Sequence, residues 1–251
     1  MRMKELVAVA GASLLAMTTV VLTGGAAHAQ AFCSLGFGED PVTATIEGSG
    51  PIIGTRNADV IVGGPGVDRI FGLGGDDLIC AGEGNDIVDA GAGDDTVIAD
   101  DAEALPPFLA VGGNDTVIGG AGNDSLIGMA GRDNVSGGGG DDTLIGMGGN
   151  DRLFGGAGMD TAFGGPGDDT MEGGDGNDAL FGNFQSDVLL GGPGDDFLNG
   201  DHPNLEPGQE PPPGGPQETP GATDSCFGGS GFNIILNCET GDANSPPPPE
   251  A

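Results

Sequence analysis

Tryptophan and tyrosine are absent from the 251 residues, and phenylalanine occurs only 11 times. Without large side chains the chain cannot fill one globular core in the usual way, so its order has to come from another source. Basic residues are nearly as scarce: six lysines and arginines face 39 acids, for a formal charge of −33. Such a chain repels nucleic acid, which is excluded as a partner, and attracts cations. The 54 glycines and the charge together fit an acidic disordered polymer until the patterning is considered.

Long apolar runs are missing as well, with one exception at the start. Arg2 and Lys4 precede the mostly apolar stretch Leu6 to Leu22, and Ala27-His28-Ala29 is a small-x-small cleavage site. The reading is an export signal over residues 1–29 with no membrane anchor, because the run is short and ends at a cleavage signal; the product is expected to be extracellular. Removing the signal leaves no lysine and a single histidine, His202. Of the four cysteines, Cys33 and Cys80 bracket the start of the patterned region, while Cys226 and Cys238 lie close together near the end. An exported chain with an even count favours disulfides, and these two pairs are expected. A zinc site is disfavoured, since there is no C-x-x-C and no nearby histidine.

What the chain does have is a nine-residue clock, G-G-x-G-x-D-x-(apolar)-x. Units begin at Gly54, Gly63, Gly72, Ala81 and Ala90, and again at Ala110, Gly119, Gly128, Gly137, Gly146, Gly155, Gly164, Gly173, Gly182 and Gly191. The sixth position is aspartate every time: Asp59, Asp68, Asp77, Asp86, Asp95, Asp115, Asp124, Asp133, Asp142, Asp151, Asp160, Asp169, Asp178, Asp187 and Asp196. The eighth is Ile, Val or Leu in every unit except at Ala162 and Met171.

A three-residue apolar patch between glycine-rich turns suits a very short strand whose middle side chain points into a thin core. Glycine permits positive φ in tight turns, and the Asp or Asn common at the fifth position is expected to tolerate the same geometry. Two units make a coil, and stacked coils give two parallel sheets with right-handed crossovers. Aspartates eighteen residues apart then lie about 5 Å from one another, the strand spacing, where like charges repel. A hard divalent cation between them reverses the sign. Calcium, which takes 6–8 oxygens from flexible carboxylates and carbonyls, fits better than magnesium.

These units, over residues 54–98 and 110–199, resemble the haemolysin-type, or RTX, nonapeptide calcium-binding repeat. The resemblance implies an all-β, right-handed parallel β-roll in which turn carbonyls and the sixth-position aspartates bind calcium between successive coils. Gln185 replaces a turn glycine, and Arg132 and Met159 replace the fifth-position Asp or Asn, which weakens the sites expected at Asp187, Asp133 and Asp160. Secreted toxins of that family carry a C-terminal export signal, so the N-terminal signal here argues for another route and against a toxin.

Between the blocks, residues 99–109 fit neither one unit nor two. They read as a loop leaving the roll, with Asp100, Asp101 and Glu103 forming a solvated acidic stretch in preference to an extra site. Residues 30–53 are an N-terminal cap, 200–223 a proline-rich linker, 224–240 a disulfide-closed terminal repeat with Asn233 in place of aspartate, and 241–251 a proline-rich tail. Acid–base and nucleophilic chemistry lacks its usual residues, and G-x-S-x-G and H-E-x-x-H are absent, so no enzyme is expected. The expected function is a secreted calcium-binding roll, the alternatives being an adhesive or matrix component and an accessory module for a separate enzyme. Ninth-position residues Ile127, Ile145, Phe163 and Phe181 form an apolar ladder, a candidate surface for self-association or an extracellular partner.

Overall fold

The computed structural model describes residues 46–100, 112–201, 224–238 and 240–242. Residues 1–29 with the expected export signal, Cys33, Asp101, Glu103, His202 and residues 243–251 of the expected proline-rich tail lie outside them. Twenty strands follow in chain order: β1 (Ile46–Glu47), β2 (Pro51–Ile53), β3 (Val60–Val62), β4 (Arg69–Phe71), β5 (Leu78–Cys80), β6 (Ile87–Ala92), β7 (Thr96–Ile98), β8 (Thr116–Ala121), β9 (Ser125–Ala130) and β10 (Asn134–Gly139). The series continues with β11 (Thr143–Gly148), β12 (Arg152–Ala157), β13 (Thr161–Pro166), β14 (Thr170–Asp175), β15 (Ala179–Phe184), β16 (Val188–Pro193), β17 (Phe197–Asp201), β18 (Ser225–Ser230), β19 (Ile234–Leu236) and β20 (Thr240–Asp242). Odd-numbered strands form one ten-stranded sheet and even-numbered strands another, each in sequential order. Neighbouring strands pair in parallel, as between Leu144 and Ala162 or Val135 and Leu153. The chain is therefore the expected parallel β-roll, and the described residues contain no helix.

The eighth-position side chains make the core. From Ile61 to Leu198 each is buried, and Ile52 and Cys226 extend the same row at either end. One aliphatic side chain per unit suffices because the two sheets face each other across a single layer, and the small Ala162 sits within the row between larger neighbours. Strand length differs from expectation. From β8 to β16 each strand runs six residues, taking in the first three positions of the following unit. Glycines there pair through the backbone, as Gly138 does with Gly120 and Gly156, so the strand continues where no side chain marks it.

The roll also runs through both interruptions. Pairing of β7 with β9 and of β6 with β8 carries the register across the first, and β16 with β18 and β17 with β19 carry it across the second. Ala99 donates its N–H to the Ile127 carbonyl, as first-position residues do elsewhere, so Ala99 and Asp100 belong to the roll and not to the expected loop. Asp224 completes the unit that opens at Gly200, and the unit of Asn233 follows it.

Candidate metal centre

In most units the turn is built by the second and fourth positions, both with left-handed backbone: φ is 118° at Gly138 and 130° at Gly140, whereas Thr55, Asn57, Gly64 and Gly113 at the same positions do not adopt it. Gly149, a fourth-position residue at φ 141°, lies so close to the Gly131 carbonyl of the preceding coil that a Cβ has no room. Gln185 adopts the same backbone at φ 78°. The fifth-position Asp and Asn do not, contrary to expectation; their task is different. The Oδ1 of Asn123 accepts from Asp141 N–H, that of Asp141 from Met159 N–H, and that of Asn150 from Asp168 N–H, so each satisfies a turn amide one coil further on. Either an acid or an amide supplies that oxygen, which explains why the two interchange.

The sixth-position aspartates form two rows, one along each edge of the roll. In one, Asp59 N–H donates to Asp77 Oδ1, and the pattern repeats through Asp95, Asp124, Asp142, Asp160, Asp178 and Asp196 to Asn233 at 2.8–3.0 Å. In the other, Asp68 N–H donates to Asp86 Oδ1, and the pattern runs through Asp115, Asp133, Asp151, Asp169 and Asp187 to Asp224 at 2.7–2.9 Å. Gly50, which stands in the aspartate position at the start of the second row, donates to Asp68. Asp133, Asp160 and Asp187, expected to be weaker, hold the same place in the rows as the others and are equally buried. Asp224 is a member that the sequence reading missed; the string Asp224-Ser225-Cys226-Phe227 before Gly228 is positions six to nine of a unit whose opening lies before the proline-rich stretch.

With Oδ1 engaged, the second oxygen decides the chemistry. In Asp59 and Asp68 it accepts from Thr55 N–H at 2.6 Å and Gly64 N–H at 2.8 Å within their own turns. In Asp77, Asp86, Asp95, Asp115, Asp124, Asp133, Asp142, Asp151, Asp160, Asp169, Asp178 and Asp196, Oδ2 is buried and accepts no hydrogen bond. Burial raises the carboxyl pKa against the backbone hydrogen bond that lowers it, with neighbouring aspartates adding to the rise. Asp151 reaches about 7, and Asp115 and Asp169 about 8. A buried oxygen with lone pairs and no donor is costly unless something positive meets it.

The gap that Oδ2 faces is lined by backbone. The bare α-carbon of Gly137 shares it with Asp142 Oδ2 and the Gly155 carbonyl, and the same set recurs at Gly146 with Asp151 and Gly164. Among the described residues no three His, Cys, Asp or Glu side chains converge on one point, so donors to a cation have to include these carbonyls. Carboxylate and carbonyl oxygens without nitrogen or sulfur suit a hard, oxygen-seeking ion and not zinc. Asp100 departs from the pattern: expected in solvent, it is buried. Gly113 N–H donates to its carboxylate at 3.0 and 3.2 Å, where Gly122 and Gly131 at the same repeat position donate to a carbonyl of the next coil. Its pKa is pushed to about 7, first by burial and then by Asp133 and Asp86.

The expected Cys226–Cys238 disulfide is present, with α-carbons 6.0 Å apart, and Cys226 fills an eighth-position place in the core. Cys80 is disulfide-bonded as well; Cys33, its expected partner, lies outside the described residues. No curated protein matches the sequence. A family model for the RTX calcium-binding nonapeptide repeat (four copies) matches residues 53–88, 81–102, 109–144, 136–171, 145–180 and 172–201, together more than half of the chain. Repeat, roll and oxygen-lined turns agree with that match, and the chain belongs to the RTX calcium-binding nonapeptide-repeat family, with calcium as its ion.

Proposed function

We propose that the chain is an exported, non-enzymatic calcium-binding β-roll whose folding is coupled to calcium. The single observation that carries this reading is the double row of buried Oδ2 atoms facing backbone carbonyls across the coil boundaries. Asp77 to Asp196 and Asp224 are the carboxylates that would hold the ions, together with first-position carbonyls such as those of Gly155 and Gly164. Asp59 and Asp68, whose second oxygens are already used, contribute less. Bound calcium supplies positive charge and accepts several oxygens at once. Without it the roll has to bury unpaired carboxylates inside a chain of formal charge −33, and with it the same carboxylates bind coil to coil.

Export is supported by the 1–29 segment, and an extracellular site by the two disulfides. The absence of catalysis is supported by a sequence that, past that segment, holds no lysine and one histidine. Circular dichroism during a calcium titration of the chelated protein tests the central claim. We expect a largely unfolded spectrum to become β-rich with a midpoint of roughly 10⁻⁴ to 10⁻³ M, the range of extracellular calcium modules. A spectrum that calcium leaves unchanged refutes it.

A further inference from the structure

The ninth-position ladder of the odd-numbered sheet is longer than the sequence suggested, and it changes character along its length. Val62, Cys80, Ile98 and Ile127 pair in register and lead on to Ile145, Phe163 and Phe181. The first four are buried, at 2%, 7%, 4% and 6% exposure, and the last three are half-buried. Phe163 and Phe181 stack with ring centroids 4.9 Å apart, which stabilises the sheet from outside. On the even-numbered sheet the same repeat position holds Ile53 at 63%, Ile118 at 41% and Phe154 at 42%. A roll of two sheets presents both outer faces to solvent, so four adjacent buried side chains on one of them need a cover. The strands packed most closely on β5 are β3 and β7, which lie beside it in the sheet and not over it.

Cys80 identifies the cover. It sits in this outer cluster with Ile98, Ile127 and Met129, separate from the inner core. Since Cys80 is disulfide-bonded and Cys226 is bonded to Cys238, Cys33 remains as its partner. A disulfide holds two α-carbons within about 7 Å, so the chain around Cys33 has to pass over the face at Cys80. That stretch reads Gln-Ala-Phe-Cys-Ser-Leu-Gly-Phe from Gln30 to Phe37, with Phe32, Leu35 and Phe37 flanking the cysteine. Reach is not limiting. Thirteen residue steps lead from Cys33 to Ile46 at the start of β1, and they span up to about 43 Å. Four strand steps from β1 to β9 cover only about 19 Å.

We propose that residues 30–40 dock along the outer face of β3, β5, β7 and β9, with Phe32, Leu35 and Phe37 covering Val62, Ile98 and Ile127 and the Cys80 disulfide as the staple. The disulfide then braces the side of the roll, whereas the sequence pattern suggested a cap on its end. Calcium plays no part in this contact, so its fate and that of the calcium reading can be told apart. Hydrogen–deuterium exchange of the unmodified, calcium-saturated protein is the first measurement: amides of residues 30–40 should exchange more slowly than in the free peptide, and exchange at the free-peptide rate overturns the proposal. Photo-crosslinking identifies the occupant. With benzoylphenylalanine replacing Ile127, or Ile145 at the edge of the patch should the first variant not fold, cross-links to residues 30–45 support the proposal. Cross-links confined to residues 101–111 or to a second copy, or none at all, overturn it. Serine at Phe32, Leu35 and Phe37 with the disulfide intact should abolish the cross-link, and an undiminished yield counts against the assigned contacts.

Discussion

Replacing Asp151 by asparagine separates the two jobs of a sixth-position side chain. Oδ1 accepts from Asp133 N–H at 2.9 Å, and an asparagine can do the same, as Asn233 does for Asp196 N–H at 2.8 Å. Oδ2 is the buried, donorless atom, on a carboxyl raised to about 7 first by its burial. Asp151→Asn therefore keeps the ladder and replaces the anion by an NH₂ in a gap that the Gly164 carbonyl also lines. In chelator the change removes a buried unpaired acceptor, a cost of about 1–3 kcal/mol, so the metal-free roll becomes more stable by that order. In calcium the sign reverses. With dissociation constants of roughly 10⁻⁴ M, calcium at about 10 mM stabilises the fold by about 2.7 kcal/mol per site, and a variant missing one carboxylate forfeits much of one such contribution.

Urea melts read both arms, the metal-free one in a stabilising osmolyte so that a folded baseline exists. Asp151→Ala is the control: it loses the ladder as well, strands Asp133 N–H, and should destabilise in both conditions. If Asp151→Asn destabilises equally with and without calcium, the carboxylate is a packing group and not a calcium ligand.

Two further outcomes follow from the same geometry. The metal-free roll should gain stability as the pH falls: Asp169 and Asp115 titrate near 8 when folded and Asp95 and Asp142 near 7, against about 4 in the unfolded chain, so the roll binds more protons between those limits. In chelator, β structure by circular dichroism should increase from pH 8 toward 5, while the calcium midpoint should move to lower concentration as pH rises, because protons and calcium compete for the same oxygens. Among the glycines, Gly149→Ala, at φ 141° and facing the Gly131 carbonyl, should cost about 1–3 kcal/mol or more, whereas Gly139→Ala, with nothing within 4 Å, should change stability by less than about 1 kcal/mol in urea melts.

The repeat was legible because its strictest feature is chemical: an aspartate at every sixth position admits one register, and the aliphatic at the eighth then has to face inward. What stayed hidden was carried by the backbone or by distance. Gly138 pairs with Gly120 and Gly156 through main-chain groups alone, so the six-residue strands leave no side-chain signature beyond the three apolar positions. From sequence the fifth-position Asp and Asn read as turn formers, since both tolerate left-handed backbone, yet their side chains present an acceptor to the next coil. Asp224 escaped notice because its ladder partner, Asp187, is 37 residues away and not eighteen. Burial of Asp100 likewise depends on where the chain leaves the register, a choice that sequence spacing left open by two residues.

Both departures occur at the same point of the repeat. The register is left after Asp100 and after Asp201, each the second residue of a unit following an odd-numbered strand, and is resumed at Gly112 and Asp224. The exits therefore lie on one edge of the roll, five strand steps apart from β7 to β17, or roughly 24 Å. Joining Asp100 directly to Gly112 yields Ala-Asp-Gly-Gly-Asn-Asp, the first six positions of an unbroken unit ending in Asp115. Such a deletion leaves every described row aspartate and core residue in place. By loop-closure entropy, closing an eleven-residue excursion costs about 2 kcal/mol, so the shortened chain should be more stable by that order if the roll alone is at stake. Calcium-induced folding should keep its amplitude, with a midpoint equal to or lower than that of the parent. Loss of folding in the deletion would show that the interruption is part of the roll's own architecture, and the register drawn through Ala99 and Gly112 would have to be abandoned.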